Sequence, residues 1–124
     1  MIYEDNMIFI EREESEIPWI KIFAKTKAKE ITDLSEAEIS HIWRAVLESE
    51  RTMRDFYHPD KINIASFANY VPKVHIHVQA RFKDDSFFPE SMWGKKMRKA
   101  KLNLPNFDEF AEILRGNLKV ALKA

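Results

Sequence analysis

Polar and apolar residues alternate along Val74-His75-Ile76-His77-Val78-Gln79-Ala80-Arg81-Phe82. A period of two is the mark of a half-buried strand, in which successive side chains point to opposite faces. Val74, Ile76, Val78, Ala80 and Phe82 then form a core face, and His75, His77, Gln79 and Arg81 line the other. Three more stretches rich in β-branched and aromatic residues predict strands at 6–12, 17–25 and 61–68. The polar run Glu13-Glu14-Ser15-Glu16 joins the first two as a hairpin. A turn around Asn69 and Pro72 joins the strand at 61–68 to the one at 73–82.

After residue 34 the period changes. Ile39, Ile42, Trp43, Val46, Leu47, Met53 and Phe56 fall on one helical stripe. Ser35 and Glu38 have the spacing of a capping box, and Pro59 ends the helix because the residue before a proline avoids helical geometry. Asn106 and Glu109 repeat the capping spacing ahead of a second amphipathic stripe, Phe107, Phe110, Ile113, Leu114 and Leu118. Gly116 weakens that helix by about 1 kcal/mol relative to alanine. Residues 83–105, with Pro89, Gly94 and Pro105, show no clean period and read as mostly loop. The order strand-strand-helix-strand-strand-helix predicts one α+β domain over 1–124, an antiparallel sheet with helices packed on one face.

Composition narrows the function. Twenty basic and twenty acidic residues cancel, so no global field favours a nucleic-acid polymer or an anionic membrane. Any anionic ligand must be held by local groups. The absence of cysteine excludes disulfides, thiolate metal sites and cysteine nucleophiles, and fits a reducing cytosol. The first residues are acidic where a signal peptide needs a basic start, and no apolar run approaches the roughly 20 residues of a membrane span. A soluble cytoplasmic domain is the expectation.

Two of the four histidines, His75 and His77, share the polar face of one strand. Four readings fit them. They are structural imidazoles on the open face of a sheet, or two ligands of a metal ion at i and i+2. They act as acid and base near neutrality, or one attacks phosphorus while its neighbours bind the oxyanion and orient the ring. A metal site wants a third ligand, and the carboxylates nearest in sequence, Asp84 and Asp85, belong to a turn. A neutral imidazole attacks without a separate base if its other nitrogen donates to a backbone carbonyl.

Val74-His75-Ile76-His77-Val78-Gln79-Ala80-Arg81 resembles the histidine triad signature, His-φ-His-φ-His-φ-φ with φ hydrophobic. DKINIASFANYVPKVHIHVQARFKDDSFFPESMWG is similar to the stretch around the triad in a bacterial branch of that superfamily. There a lysine-leucine-asparagine strand precedes a Gly-Asn-Val-Val-Pro-Gln turn, and a Trp-Gly pair follows. IPWIKIFAKTKAKEITDLSEAE resembles the second strand and helix entry of the same branch, so the likeness runs from about residue 2 to 94. It implies the HIT-like fold, about five antiparallel strands with two main helices on one side, and a homodimer whose sheets pair edge to edge.

The resemblance also implies roles. His77, in the middle triad place, would attack the α-phosphorus of a nucleotide and form a nucleotidyl-histidine, with His75 setting ring orientation and tautomer. Asn63 stands where an amide touches ribose or phosphate, and Asn69, Val71 and Pro72 form the turn that faces the phosphates. No cofactor is required, although a divalent cation bound to a polyphosphate substrate would assist. Dinucleoside polyphosphates such as diadenosine tetraphosphate, or nucleotide phosphoramidates, are the implied substrates.

This chain departs from the pattern at several places. Gln79 replaces the third histidine, as in the branch typified by galactose-1-phosphate uridylyltransferase, and its amide would donate to a phosphate oxygen but supplies no proton near pH 7. The upstream histidine is missing, and its region carries Lys25, Lys27 and Lys29. Ala68 stands in the place of a glycine, and Lys73 in that of a glutamine, where it is a substitute phosphate contact or plain surface. His41 reads as helix surface or partial burial, His58 as a cation at a helix C-terminus, and Trp93 as loop packing rather than a cover for a neighbouring chain or a nucleoside. Two functions follow: a hydrolase or nucleotidyltransferase, or a nucleotide-binding module that has kept the pocket and lost the chemistry.

Overall fold

The computed structural model describes residues 1–123, so the last residue of the domain expected over 1–124 lies outside the described residues. The four foreseen strands form with shorter bounds: β2 (Ile8–Arg12), β3 (Trp19–Ala24), β4 (Lys61–Ala65) and β5 (His75–Arg81). A two-residue β1 (Tyr3–Glu4) precedes them, too short to show a period. It is set by Asp5, whose carboxylate accepts from the amides of Met7 and Ile8 at 2.8 and 3.0 Å and turns the chain into β2. All neighbours pair antiparallel in the order β1-β2-β3-β5-β4.

Helix α1 (Glu36–Tyr57) starts at the expected capping box: the Glu38 amide donates to Ser35 Oγ at 3.1 Å and the Ser35 amide to Glu38 Oε1 at 2.8 Å. It ends one residue before His58, which adopts the left-handed conformation at φ 51° and donates its amide to the Arg54 carbonyl. Helix α2 (Phe107–Ala121) is capped by Asn106 alone, through the Asp108 amide. Both helices cover one face of the sheet. Ile8, Ile10, Ile20, Ile22, Ile76 and Val78 from that face meet Val46, Met53, Phe110 and Leu114 in one core.

The buried stripe of α1 is rotated from the expected one. Trp43 and Leu47 are exposed, while Ala45, Ser49 and Thr52 face inward beside Val46 and Met53. Small side chains there let α2 approach closely enough for Asn117 Nδ2 to donate to Thr52 Oγ1 at 3.0 Å.

The opposite face of β5 is not open, as an alternating strand would suggest. His75, His77, Gln79 and Arg81 are all buried. Residues 82–100, which form neither helix nor strand, strap across that face and are fixed by polar contacts. Arg81, 1% exposed, donates from Nε and Nη2 to the two oxygens of Asp85 at 2.9 and 3.1 Å. It also donates to Asn63 Oδ1 and to the Glu90 carbonyl. Burial pushes the Asp85 pKa up, but hydrogen bonds from Arg81 and from the amides of Phe82, Phe87 and Phe88 outweigh it and hold the carboxyl below its ordinary value. Arg98 closes the strap on the carbonyls of Asp85 and Phe88.

Candidate functional site

Strand pairing decides which side chains join the histidines. Phe23 lies directly opposite His75, Lys21 opposite His77, and Trp19 opposite Gln79. Direct partners in an antiparallel pair share a face with Cβ atoms about 5 Å apart. Lys21, Phe23, His75 and His77 and the 67–71 turn border a cavity of about 400 Å³, whose lining also includes Glu13 and Trp93. That volume lies in the usual range for small-molecule sites. Ala68 sits at φ 54°, a left-handed conformation that favours glycine, which accounts for the glycine expected at that place.

The two imidazoles are held as opposite tautomers. His75 Nδ1 lies 2.8 Å from the Lys73 carbonyl. A carbonyl only accepts, so Nδ1 carries the proton and Nε2 keeps a lone pair in the neutral ring. Its ring lies on Phe23, centroids 4.5 Å apart and planes within 22°, and Phe23 stacks in turn on Phe9 at 4.8 Å. Trp19 Nε1 is 3.0 Å from His77 Nδ1. An indole only donates, so His77 Nδ1 is bare and the proton of the neutral ring sits on Nε2. Burial, then the nearby charges of His75 and Lys21, push the His77 pKa down to about 4 against a smaller opposing pull from Glu13. His77 is therefore neutral at pH 7. One ring offers a lone pair and its neighbour an N–H, with centroids 5.1 Å apart.

The structure sorts the residues expected at the site. His75, His77 and Asn69 line the cavity. Gln79 does not: it is 1% exposed, and its Nε2 has no partner among the described residues. Asn63 accepts from Arg81 and so helps to hold the strap. Lys73 is exposed and contributes its carbonyl, not its ammonium. Lys25 pairs with Glu4 at 2.6 Å. His41 pairs with Asp5 at 2.6 Å, on the far side of the core from the triad strand's polar face. Trp93 packs from the strap with its ring edge-on to His77 at 4.9 Å and to Trp19 at 5.2 Å. Among the described residues no group of three or more His, Asp or Glu is placed to share a metal ion, so two histidines of a strand lack a third ligand.

Lys21, Glu13, Trp19 and Phe23 were not foreseen. Trp19, Lys21 and Phe23 do alternate at i, i+2 and i+4, which puts them on one face. Which strand that face would meet is a matter of sheet order, and hairpin logic pairs 17–25 with 6–12 and leaves its other edge unassigned.

A HIT domain model matches residues 1–84. A histidine triad protein from Bradyrhizobium japonicum is 24% identical, with a TM-score of 0.74 over 98% of this chain and 88% of that one. A histidine triad (HIT) protein from Sinorhizobium meliloti 1021 is 20% identical, with a TM-score of 0.73 over 98% and 87%. A hypothetical histidine triad nucleotide-binding protein from Sulfolobus tokodaii is 12% identical, with a TM-score of 0.58 over 98% and 82%. These likenesses are in the fold. No curated protein matches the chain.

Proposed function

Because the chain belongs to the HIT domain family, we propose that it binds a nucleotide in the histidine cavity and attacks the α-phosphorus through His75. The opposed tautomers carry this reading. The condition for attack without a separate base, one nitrogen donating to a backbone carbonyl, is met by His75 and not by His77, where the resemblance alone had placed the nucleophile. The Nε2 lone pair of His75 forms the N–P bond while the bond from phosphorus to the leaving group breaks, and the leaving group departs with that electron pair. Water then cleaves the N–P bond and releases the nucleoside monophosphate. His77, neutral with its proton on Nε2, donates to a phosphoryl oxygen whose charge rises in the transition state. Phe67 and Tyr70 give the nucleobase an aromatic wall.

Buried Gln79 offers no proton to the departing group, which favours leaving groups that are stable as anions. Phosphoanhydrides, as in dinucleoside polyphosphates, fit better than phosphoramidates. The displacement as written needs no cofactor, and a divalent cation would arrive on the polyphosphate of the substrate. The burial of Gln79 also supports a second reading, a nucleotide-binding module without turnover. Acid-labile label on His75, trapped from an α-labelled dinucleoside tetraphosphate and located by peptide mass, supports the enzyme. Saturable nucleotide binding with no trapped label leaves the module, and absence of binding removes both.

The same reading takes the chain as a homodimer. The edge strands are β1 and β4, and an unpaired edge favours partnership with another strand. Light scattering at micromolar concentration should give twice the 14.7 kDa chain mass; the single-chain mass would remove the dimer.

A further inference from the structure

The cavity has one ammonium and one carboxylate in its lining, Lys21 and Glu13, and they are paired at 3.0 Å. Neither is a member of the triad pattern. Lys21 stands directly opposite His77 across the β3–β5 pair, and its Nζ lies 5.8 Å from the centroid of the Phe23 ring on which His75 stacks. The ammonium is thus beside both rings. Its side chain is 21% exposed and that of Glu13 39%, so the pair sits at the wall of the cavity and the carboxylate is its outer member.

We propose that Lys21 is the anion-binding residue of this site, held by Glu13 while the cavity is empty and turned to the α-phosphate when nucleotide enters. The proposal rests on the nucleotide reading above and assigns the charge that reading lacks. With His77 neutral, Lys73 outside the cavity, Gln79 buried and the His75 lone pair given to phosphorus in the proposed attack, no triad group is left to hold the phosphate charge. A phosphate between His75 Nε2 and His77 Nε2–H needs a cation to offset its own charge in a low-dielectric pocket. Lysine suits this role because its flexible stem carries a point charge with three donors, so it can leave a carboxylate for a phosphate without rebuilding the wall. Glu13 keeps the empty cavity near zero net charge. It therefore sets a cost on anion entry that its removal would lift.

Calorimetric titration with the four nucleoside 5′-monophosphates and their parent nucleosides tests this on wild type, Lys21→Met, Lys21→Arg and Glu13→Gln. A hydrogen bond to a charged group is worth about tenfold to a hundredfold in affinity. Lys21→Met should lose that much for the monophosphate and little for the nucleoside. Lys21→Arg should retain most of it, and Glu13→Gln should bind the monophosphate more tightly than wild type. NMR titration of the His77 ring gives a second readout with a fixed sign: Lys21→Met raises its pKa, and Glu13→Gln lowers it. Equal monophosphate affinity in wild type and Lys21→Met overturns the role of Lys21 and leaves the nucleotide reading standing. Failure of wild type to bind any monophosphate removes both.

Discussion

Asp85→Ala is expected to destabilise the protein by about 3–5 kcal/mol, the usual result of removing one partner from a buried ion pair. The Asp85 side chain is 0% exposed and that of Arg81 2%, so the variant leaves a guanidinium buried with its counter-charge gone. Asp85 also accepts from three backbone amides, of Phe82, Phe87 and Phe88, which lose their acceptor at the same time. Those amides form the bend that carries the chain from β5 onto the strap. The strap brings Trp93 onto His77 and Trp19, so the variant should also uncover Trp19, now 8% exposed, and shift the tryptophan fluorescence to the red at denaturant concentrations well below global unfolding. Arg81→Met combined with Asp85→Leu removes both charges, and should be less destabilised than Asp85→Ala alone because no buried charge is left unpaired. Urea unfolding curves decide the matter. A loss under about 1 kcal/mol in Asp85→Ala would mean that the strap does not depend on this pair.

How much of this site was legible in the chain can be judged from particular residues. Period two over 74–82 found β5 and both of its faces, because alternation is a local property of a strand. The capping box at Ser35 and Glu38 found the start of α1 for the same reason. Burial of the polar face was not legible. An alternating strand reads as half-solvated unless something known covers it, and here the cover is a segment without period whose order comes from Arg81, Asp85 and Arg98. The Arg81–Asp85 pair has i and i+4 spacing, but in a strand-to-turn segment that spacing carries no rule. Hydrophobicity alone turns Trp43 and Leu47 inward, whereas the small Ala45, Ser49 and Thr52 are the buried residues, with Thr52 meeting Asn117 of α2, since close helix approach favours small side chains that a hydrophobicity count ranks low. At the site, the histidines were legible and their tautomers were not. Tautomers depend on the partner of each Nδ1, and one of those partners, Trp19, lies 58 residues away in sequence.

His75→Ala should therefore lower turnover of a dinucleoside polyphosphate by roughly 10⁴-fold or more, as loss of a covalent nucleophile does elsewhere, and leave no trapped label. His77→Ala should cost less, about 10²–10³-fold, the range for losing one oxyanion donor, and should still form the labelled intermediate. The difference follows from which nitrogen holds a lone pair. For His77 to attack through Nε2, its proton would have to move to Nδ1, where it would face the Trp19 N–H at 3.0 Å with two donors and no acceptor. Burial of both groups makes that arrangement costly. Trp19→Phe removes the obstacle: His77 is then free to take either tautomer, and its donor role weakens while His75 is untouched. Turnover in Trp19→Phe should fall by less than in His77→Ala, with label still on His75. The opposite ranking, with label lost in His77→Ala and kept in His75→Ala, would show that nucleotide binding turns the His77 ring away from Trp19, and the nucleophile would then be His77.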